Sequence, residues 1–311
     1  GSTLFPYTTL CRSVNAGKDL AREAISAGFF NIDIDTSTLV DVSRPSVPEQ
    51  QQTNFSLSSE IAGFIRQMEP AGVTISIGGE IGEVGGHNST EEELRAFMDG
   101  FNAGMKKLAP GTAGLSKISI QTGTSHGGTV LPDGTLAKVN IDFDTLRDLS
   151  RVARKDYHLG GTVQHGASTL PEDAFHKFVE NEAVEVHLAT GFMTKFYETM
   201  PAGLRQQMYA WLDQNAAGDR KPDMTDEQFY YKTRKNALGP FKPQLYGLAA
   251  GQKEQIGAAW QEQFDMLFGL LGVQNTRQYV DKFVKPAPVA PDMKYYLGKE
   301  VSEALADDLQ D

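Results

Sequence analysis

Cysteine is almost absent: Cys11 is the single one in 311 residues. That excludes a disulfide framework and any multi-thiolate metal site within one chain. No run of about 18 apolar residues occurs, so no helical membrane span is expected. Basic side chains are in deficit, 29 against 40 acidic, giving a formal charge of −11. A general nucleic-acid binder would show a basic face, so no nucleic-acid partner is expected. What is present reads as globular: 40% hydrophobic and 9% aromatic residues argue against disorder. The length suits one large α/β domain or two ordinary ones.

The first thirteen residues, GSTLFPYTTLCRS, resemble the translation of a common sequencing adapter, STLFPYTTLFRS, departing only at Cys11. Such scars are set aside in fold reasoning. The alternative is an ordinary edge strand at Leu4–Leu10. On the adapter reading the native chain starts near Val14, with 298 residues, and the lone cysteine and Arg12 leave with the scar.

From Val14 the pattern alternates strand and helix at roughly forty-residue intervals, which implies a parallel sheet. Strands are predicted at Phe29–Asp35, Val73–Ile77, Lys117–Gln121, Gly161–Gln164 and Val184–Leu188. Gly17–Ala27 reads as a helix stopped by Gly28. Leu57, Ile61, Phe64, Ile65 and Met68 recur at helical spacing. Thr90 and Glu93 form a capping box for a helix carrying Leu94, Phe97, Phe101 and Met105. Asp144 is the expected cap of the next helix, and a short one spans Pro171–Val179. A barrel of this type needs eight strands and five are visible. The competing architecture is an open, doubly wound sheet, but no G-x-G-x-x-G opens any helix. After Phe192 only helices are predicted. Met208 and Trp211 lie on one apolar stripe, Thr225 and Gln228 cap another helix, and Ile256, Trp260, Phe264, Leu267 and Leu271 mark the most amphipathic one. The acidic end, Glu300–Asp311, is expected to be a solvated helix. Without further strands, Phe29–Asp35 and Val184–Leu188 would be exposed edges that invite aggregation.

Polar residues gather at the strand ends. His126, His165 and His187 lie at or just beyond C-terminal ends, as does Glu80. In a βα architecture those ends form one face. Histidine nitrogens with a carboxylate oxygen suit an open zinc site, although a single histidine at a strand end is more often structural, and His187 could equally be strand packing. Two glycine-rich turns, Ser125-His126-Gly127-Gly128 and His165-Gly166-Ala167-Ser168, offer backbone N–H groups suited to phosphate. A metal beside a phosphate site suggests a phosphorylated small molecule with a polarisable oxygen.

These residues resemble the class II, zinc-dependent ketose-bisphosphate aldolases. Gly78-Gly79-Glu80-Ile81-Gly82-Glu83-Val84-Gly85-Gly86 is similar to the family loop E-x-E-[LI]-G-x-x-G-G, with Gly78 in place of the first glutamate. Gly123-Thr124-Ser125-His126-Gly127 resembles G-T-[SA]-H-G. Val163-Gln164-His165-Gly166-Ala167-Ser168 resembles L-x-H-G-G-S, and Val186-His187-Leu188-Ala189-Thr190 resembles I-N-x-x-T-D. Asp35 in Ile34-Asp35-Thr36-Ser37 resembles the family's M-I-D-G-S. The likeness runs from about Val14 to Thr190.

The resemblance implies a TIM barrel with its site at the C-terminal face, here incomplete at about five of eight βα units: residues 14–192, followed by a helical C-terminal extension, 193–311. It implies zinc held by His126, His165 and Glu80, and a phosphate contacted by Gly127, Gly166, Ser168 and Thr190. Asp35 and His187 would support them. The implied reaction is aldol cleavage or condensation of a ketose phosphate, with a triose phosphate such as dihydroxyacetone phosphate. The family's H-x-D-H motif falls upstream of Val14, so the fragment itself is expected to be inactive. His87-Asn88 stands where the family has an acidic pair, and His87 is the candidate substitute for proton transfer. The family further implies a cytoplasmic protein, homo-oligomeric at full length. A non-catalytic, aldolase-like accessory subunit is the alternative, favoured by the changes at His87, Asn88 and His187.

Overall fold

The structure, a computed structural model, describes residues 3–5, 14–82, 87–123, 131, 140–167 and 170–284. Six parallel strands form one sheet in the order β1-β2-β3-β4-β5-β6. They are β1 (Thr3–Phe5), β2 (Asn31–Ile34), β3 (Ser76–Glu80), β4 (Lys117–Ile120), β5 (Thr162–Gln164) and β6 (Glu185–Val186). Strands β2–β6 match the five read from the sequence. β1 lies within the first thirteen residues and pairs with β2, Thr3 opposite Ile32 and Phe5 opposite Ile34. The segment expected to be a bare edge, Phe29–Asp35, therefore has a neighbour on both sides. β3 starts later than predicted because Val73 is spent in a turn: its N–H donates to Pro70 O at 3.0 Å, after Gly72 at φ +80°.

The strand order decides between the two architectures. A doubly wound sheet reverses its order at a switch point; here every strand lies beside its successor in sequence. The sheet also curls. β2 and β6 are four positions apart, roughly 19 Å in a flat sheet. Yet the side chain of Asn31 on β2 reaches Glu185 on β6 at 3.4 Å, and Asp33 reaches His187 just beyond β6 at 3.4 Å. Only a sheet rolled toward its inner face brings these groups together. The result is an α/β fold with a curled parallel sheet, part of a barrel.

The two faces have opposite chemistry. Ile32, Ile34, Ile77, Ile118 and Ile120 are buried in the main apolar core with the helices. These helices are α1 (Val14–Ser26), α2 (Val47–Met68), α3 (Glu91–Leu108) and α4 (Phe143–Tyr157). The alternate residues, Asn31, Asp33, Gly78, Glu80, Lys117, Ser119, His165, Glu185 and His187, share the inner face, as period-two alternation requires.

α3 begins as predicted. Thr90 Oγ1 accepts from Glu93 N at 3.3 Å, and Thr90 N donates to Glu93 Oε2 at 2.7 Å. The cap of α4 is Asp142, not Asp144: Asp142 Oδ1 accepts from Thr145 N at 3.0 Å, while Asp144 is exposed and pairs with Arg147. α2 and α3 pack closely because α3 carries Gly100 and Gly104. A Cβ on Gly100 would lie 2.5 Å from the Phe55 ring, and one on Gly104 2.3 Å from Ser59 Oγ.

Between β5 and β6 lies α5 (His176–Glu180), and beyond β6 come α6 (Thr190–Thr199), α7 (Ala202–Asn215), α8 (Asp226–Thr233), α9 (Lys242–Tyr246), α10 (Ala250–Leu270) and α11 (Arg277–Phe283). Tyr197, Met208, Leu212, Phe229 and Ile256 form a second apolar cluster. The capping box at Thr225 and Gln228 is present. α10 is only partly covered: Ile256 and Leu267 are buried, but Trp260 and Phe264 are exposed. Residues 300–311 lie outside the described residues.

Gly100→Ala is expected to destabilise the chain. Alanine gains about 1 kcal/mol of helix propensity, but overpacking typically costs about 1–3 kcal/mol, and the added methyl would lie 2.5 Å from the half-buried Phe55 ring. A lowered melting temperature would bear this out; a raised one would refute it. Asp142→Ala should cost about 1 kcal/mol near neutral pH, as for other helix caps. The hydrogen bonds from Thr145 hold the Asp142 carboxyl below its ordinary 3.8. The cap's contribution is therefore complete above pH 3.8 and is lost as pH falls through the lowered value. Denaturant melts of the two proteins should converge in that acidic window.

Candidate metal centre

The inner face of the sheet holds a buried polar network rather than apolar packing. Lys117, on the central strand β4, is nearly inaccessible. Its ammonium donates to Glu185 Oε2 at 2.7 Å and to Asn31 Oδ1, and lies 3.1 Å from Asp33 Oδ1. His187 Nε2 sits 2.9 Å from Glu185 Oε2 and 3.4 Å from Asp33 Oδ2. Gly78 makes room for this cluster: a Cβ there would come within 2.2 Å of Asp33 Oδ1 and 2.9 Å of Lys117 Cε. The family's first glutamate has no space at this position while Asp33 and Lys117 stand as they do.

One layer nearer the strand ends, His165 and Glu80 meet. His165 Nδ1 is 3.9 Å from Glu80 Oε2, and His165 Nε2 lies 3.0 Å from Ser119 Oγ. The His165 and His187 rings are tilted against each other with centroids 4.7 Å apart. Both layers are therefore joined through the two imidazoles.

Electrostatics separates the carboxylates. Burial pushes Glu80 well above its ordinary range, and the nearby charges of Asp35 and Asp33 add to the effect. Burial likewise raises Asp33, with Lys117 and His187 partly opposing it. Glu185 goes the other way: burial is outweighed by the hydrogen bonds and charges of His187 and Lys117, which hold it at about 2. A bound cation would reverse the balance at Glu80, because the ion's own charge dominates such a site.

The predicted site residues fall into three groups. Glu80, His165 and His187 come together on the inner face. Asp35 stands beside Glu80 and accepts from Ser37 N at 3.0 Å and Ser37 Oγ at 2.6 Å. Gly166 follows His165 at φ +70°, a backbone conformation natural to glycine. Thr190 is the first residue of α6. His87 stands apart from this group. Its ring is half exposed, and its Nε2 lies 3.2 Å from the buried carboxylate of Glu93. The stretch after it is stitched to β4, with Ser89 N donating to Gln121 O at 2.8 Å. His126, Gly127 and Ser168 lie outside the described residues.

The residues that sequence reasoning missed are Asn31, Asp33, Lys117, Ser119 and Glu185. Their signal was available. Asn31-Ile32-Asp33-Ile34-Asp35 and Lys117-Ile118-Ser119-Ile120-Gln121 alternate polar and apolar with period two, inside strands covered by helices on one face. In such a strand the polar set belongs to the other face.

Comparison with known proteins now bears on this arrangement. A search of curated protein sequences gives no significant match. Among solved structures, the chain is similar to a putative fructose-1,6-biphosphate aldolase from Coccidioides immitis, at 16% identity over 86% of this chain and 71% of that one, TM-score 0.48. It is similar to the YdjI aldolase from Escherichia coli K12, at 12% identity over 72% of this chain and 63% of that one, TM-score 0.38. It is also similar to a probable tagatose 6 phosphate kinase from Sinorhizobium meliloti 1021, at 14% identity over 87% of this chain and 68% of that one, TM-score 0.54. The chain thus spans 63% to 71% of the lengths of these proteins. The last likeness shows a shared fold. The family model for class-II fructose-bisphosphate aldolase matches residues 15–252. That match takes in every strand from β2 to β6 with the inner-face residues they carry, and the chain belongs to the class-II fructose-bisphosphate aldolase family.

Proposed function

We propose that the inner-face site serves metal-assisted aldol cleavage or condensation of a ketose phosphate, with a triose phosphate such as dihydroxyacetone phosphate as one partner. The supporting observation is the meeting of His165 and Glu80 at 3.9 Å on the inner face, in a chain matched by the aldolase family model. One nitrogen and one oxygen donor suit zinc in an open site. Glu80, His165 and His126 would hold the ion. Bound there, zinc supplies Lewis-acid polarisation of the ketose carbonyl and so eases C–C cleavage.

The chain's own groups do the rest. Ser119 sits on His165 Nε2 and fixes the ring's orientation, as outer partners do for metal-binding histidines. Gly127, Gly166 and Ser168 would offer the substrate phosphate N–H and O–H donors, with Thr190, the first residue of α6, as a further contact. His87, which stands apart from Glu80 and His165 beside the buried Glu93 carboxylate, would have to swing toward the substrate to carry a proton in place of the family's acidic pair. The accessory-subunit reading is set apart by one measurement, since a merely structural homologue has no need of zinc.

Two outcomes test the proposal on this chain. Dialysis against zinc followed by metal analysis should show one equivalent lost from His165→Ala, and likewise from Glu80→Gln. Unchanged zinc content in both would sink the metal site. Calorimetry should show dihydroxyacetone phosphate binding in the presence of zinc, weakened about tenfold or more in Ser168→Ala. That factor follows from losing a hydrogen bond to a charged group, about 1.5–3 kcal/mol. Equal affinity in the two proteins would remove Ser168 from the site.

A further inference from the structure

The layer beneath Glu80 and His165 carries a second arrangement of ligands. His187 Nε2, Asp33 and Glu185 each offer one atom, and these atoms all lie within 4.8 Å of one another. His187 Nε2 is 2.9 Å from Glu185 Oε2 and 3.4 Å from Asp33 Oδ2. Around a first-row divalent ion with bonds of about 2.0–2.2 Å, neighbouring ligand atoms stand roughly 3–3.6 Å apart. The two His187 separations are already close to that range, and Asp33 and Glu185, within 4.8 Å of each other, close on one ion once the Lys117 ammonium moves aside.

Asp33 is the second observation. It is 3% exposed, and neither carboxylate oxygen accepts a hydrogen bond of sound geometry from a described residue. Lys117 supplies charge at 3.1 Å without satisfying those lone pairs. Its ammonium has another anchor in Asn31 Oδ1, so it can leave Glu185 Oε2 and keep a partner.

We propose that Asp33, Glu185 and His187 form a second divalent-cation site, distinct from Glu80 and His165, and that the Lys117 ammonium occupies it until a metal ion displaces it. One nitrogen and two carboxylate oxygens suit Zn²⁺, Co²⁺ or Mn²⁺. Binding requires His187 Nε2 to give up its contact with Glu185 Oε2 and to face the ion unprotonated, with the ring proton on Nδ1. The site stands independently of the aldolase reading: it uses none of the residues assigned there as metal ligands.

The test is equilibrium dialysis with Co²⁺, read by metal analysis and the visible spectrum of the bound ion. His165→Ala removes the upper position and should retain one equivalent of Co²⁺ per chain. His165→Ala combined with His187→Asn, or with Asp33→Asn, should retain none. Lys117→Met in the His165→Ala background should tighten binding about tenfold, since the competing cation is gone. Loss of all Co²⁺ in His165→Ala alone overturns the second site, as does unchanged stoichiometry in both double variants. Unchanged affinity in the Lys117 variant overturns the displacement. Should the double variants fail to fold, Zn²⁺ added to the His165→Ala chain decides the matter by ¹⁵N NMR: the His187 Nε2 resonance should take the shift of a metal-bound imidazole nitrogen, and an unchanged resonance overturns the site. Failure of the aldolase reading would appear differently, as zinc stoichiometry indifferent to His165 and Glu80.

Discussion

The structure turns on one lysine. Lys117 stands on β4, inside the curled sheet, and its ammonium is the point where charge from β2 and β6 converges. Burying an ammonium alone would be prohibitive, and removing one partner from a buried ion cluster costs on the order of 3–5 kcal/mol. The inner face therefore holds together as a set. Asp33 and Glu185 accompany the lysine, Asn31 accepts its third contact, and Gly78 on β3 stays small to admit them. The curl of the sheet and the composition of its lining follow from the same contacts, because only a rolled sheet lets β2 and β6 share a cation.

This lining prepares the layer above it. Glu185 and Asp33 position His187, His187 packs against His165, and His165 faces Glu80. A carboxylate whose pKa is raised by burial and by acidic neighbours stands next to an imidazole that Ser119 and His187 orient. Fold and site are thus one hierarchy: ion cluster at the bottom, imidazoles between, and the pair of Glu80 and His165 at the strand ends.

Much of this was legible in the sequence. The five strands β2–β6, the capping boxes at Thr90 and Thr225, and the placement of His165 and Glu80 at strand ends all follow from local rules that packing did not override. The inner network was not read, for a physical reason. Lys117 and Asp33 look like surface residues when taken one at a time, and their partners are distant in sequence: 84 positions separate Asp33 from Lys117, and the numbered contact from Lys117 to Glu185 spans 68. Only the alternation within each strand reports that they face inward. The cap of α4 slipped from Asp144 to Asp142 because both residues can cap, and Asp142 is the one pinned in place, its N–H donating to Thr122 O at 2.9 Å. Trp260 and Phe264 read as core because the spacing of an amphipathic helix reports one apolar face and not how much of it is covered.

Gly78 has a consequence for how such chains can diverge. Its missing side chain and the carboxylate of Asp33 compete for one volume, since a Cβ at 78 would lie 2.2 Å from Asp33 Oδ1. A side chain at 78 and the Asp33 carboxylate therefore exclude each other while the backbone holds its place. Any residue larger than glycine on β3 obliges the acid on β2 to move or to go, and the Lys117 ammonium then loses a counter-charge.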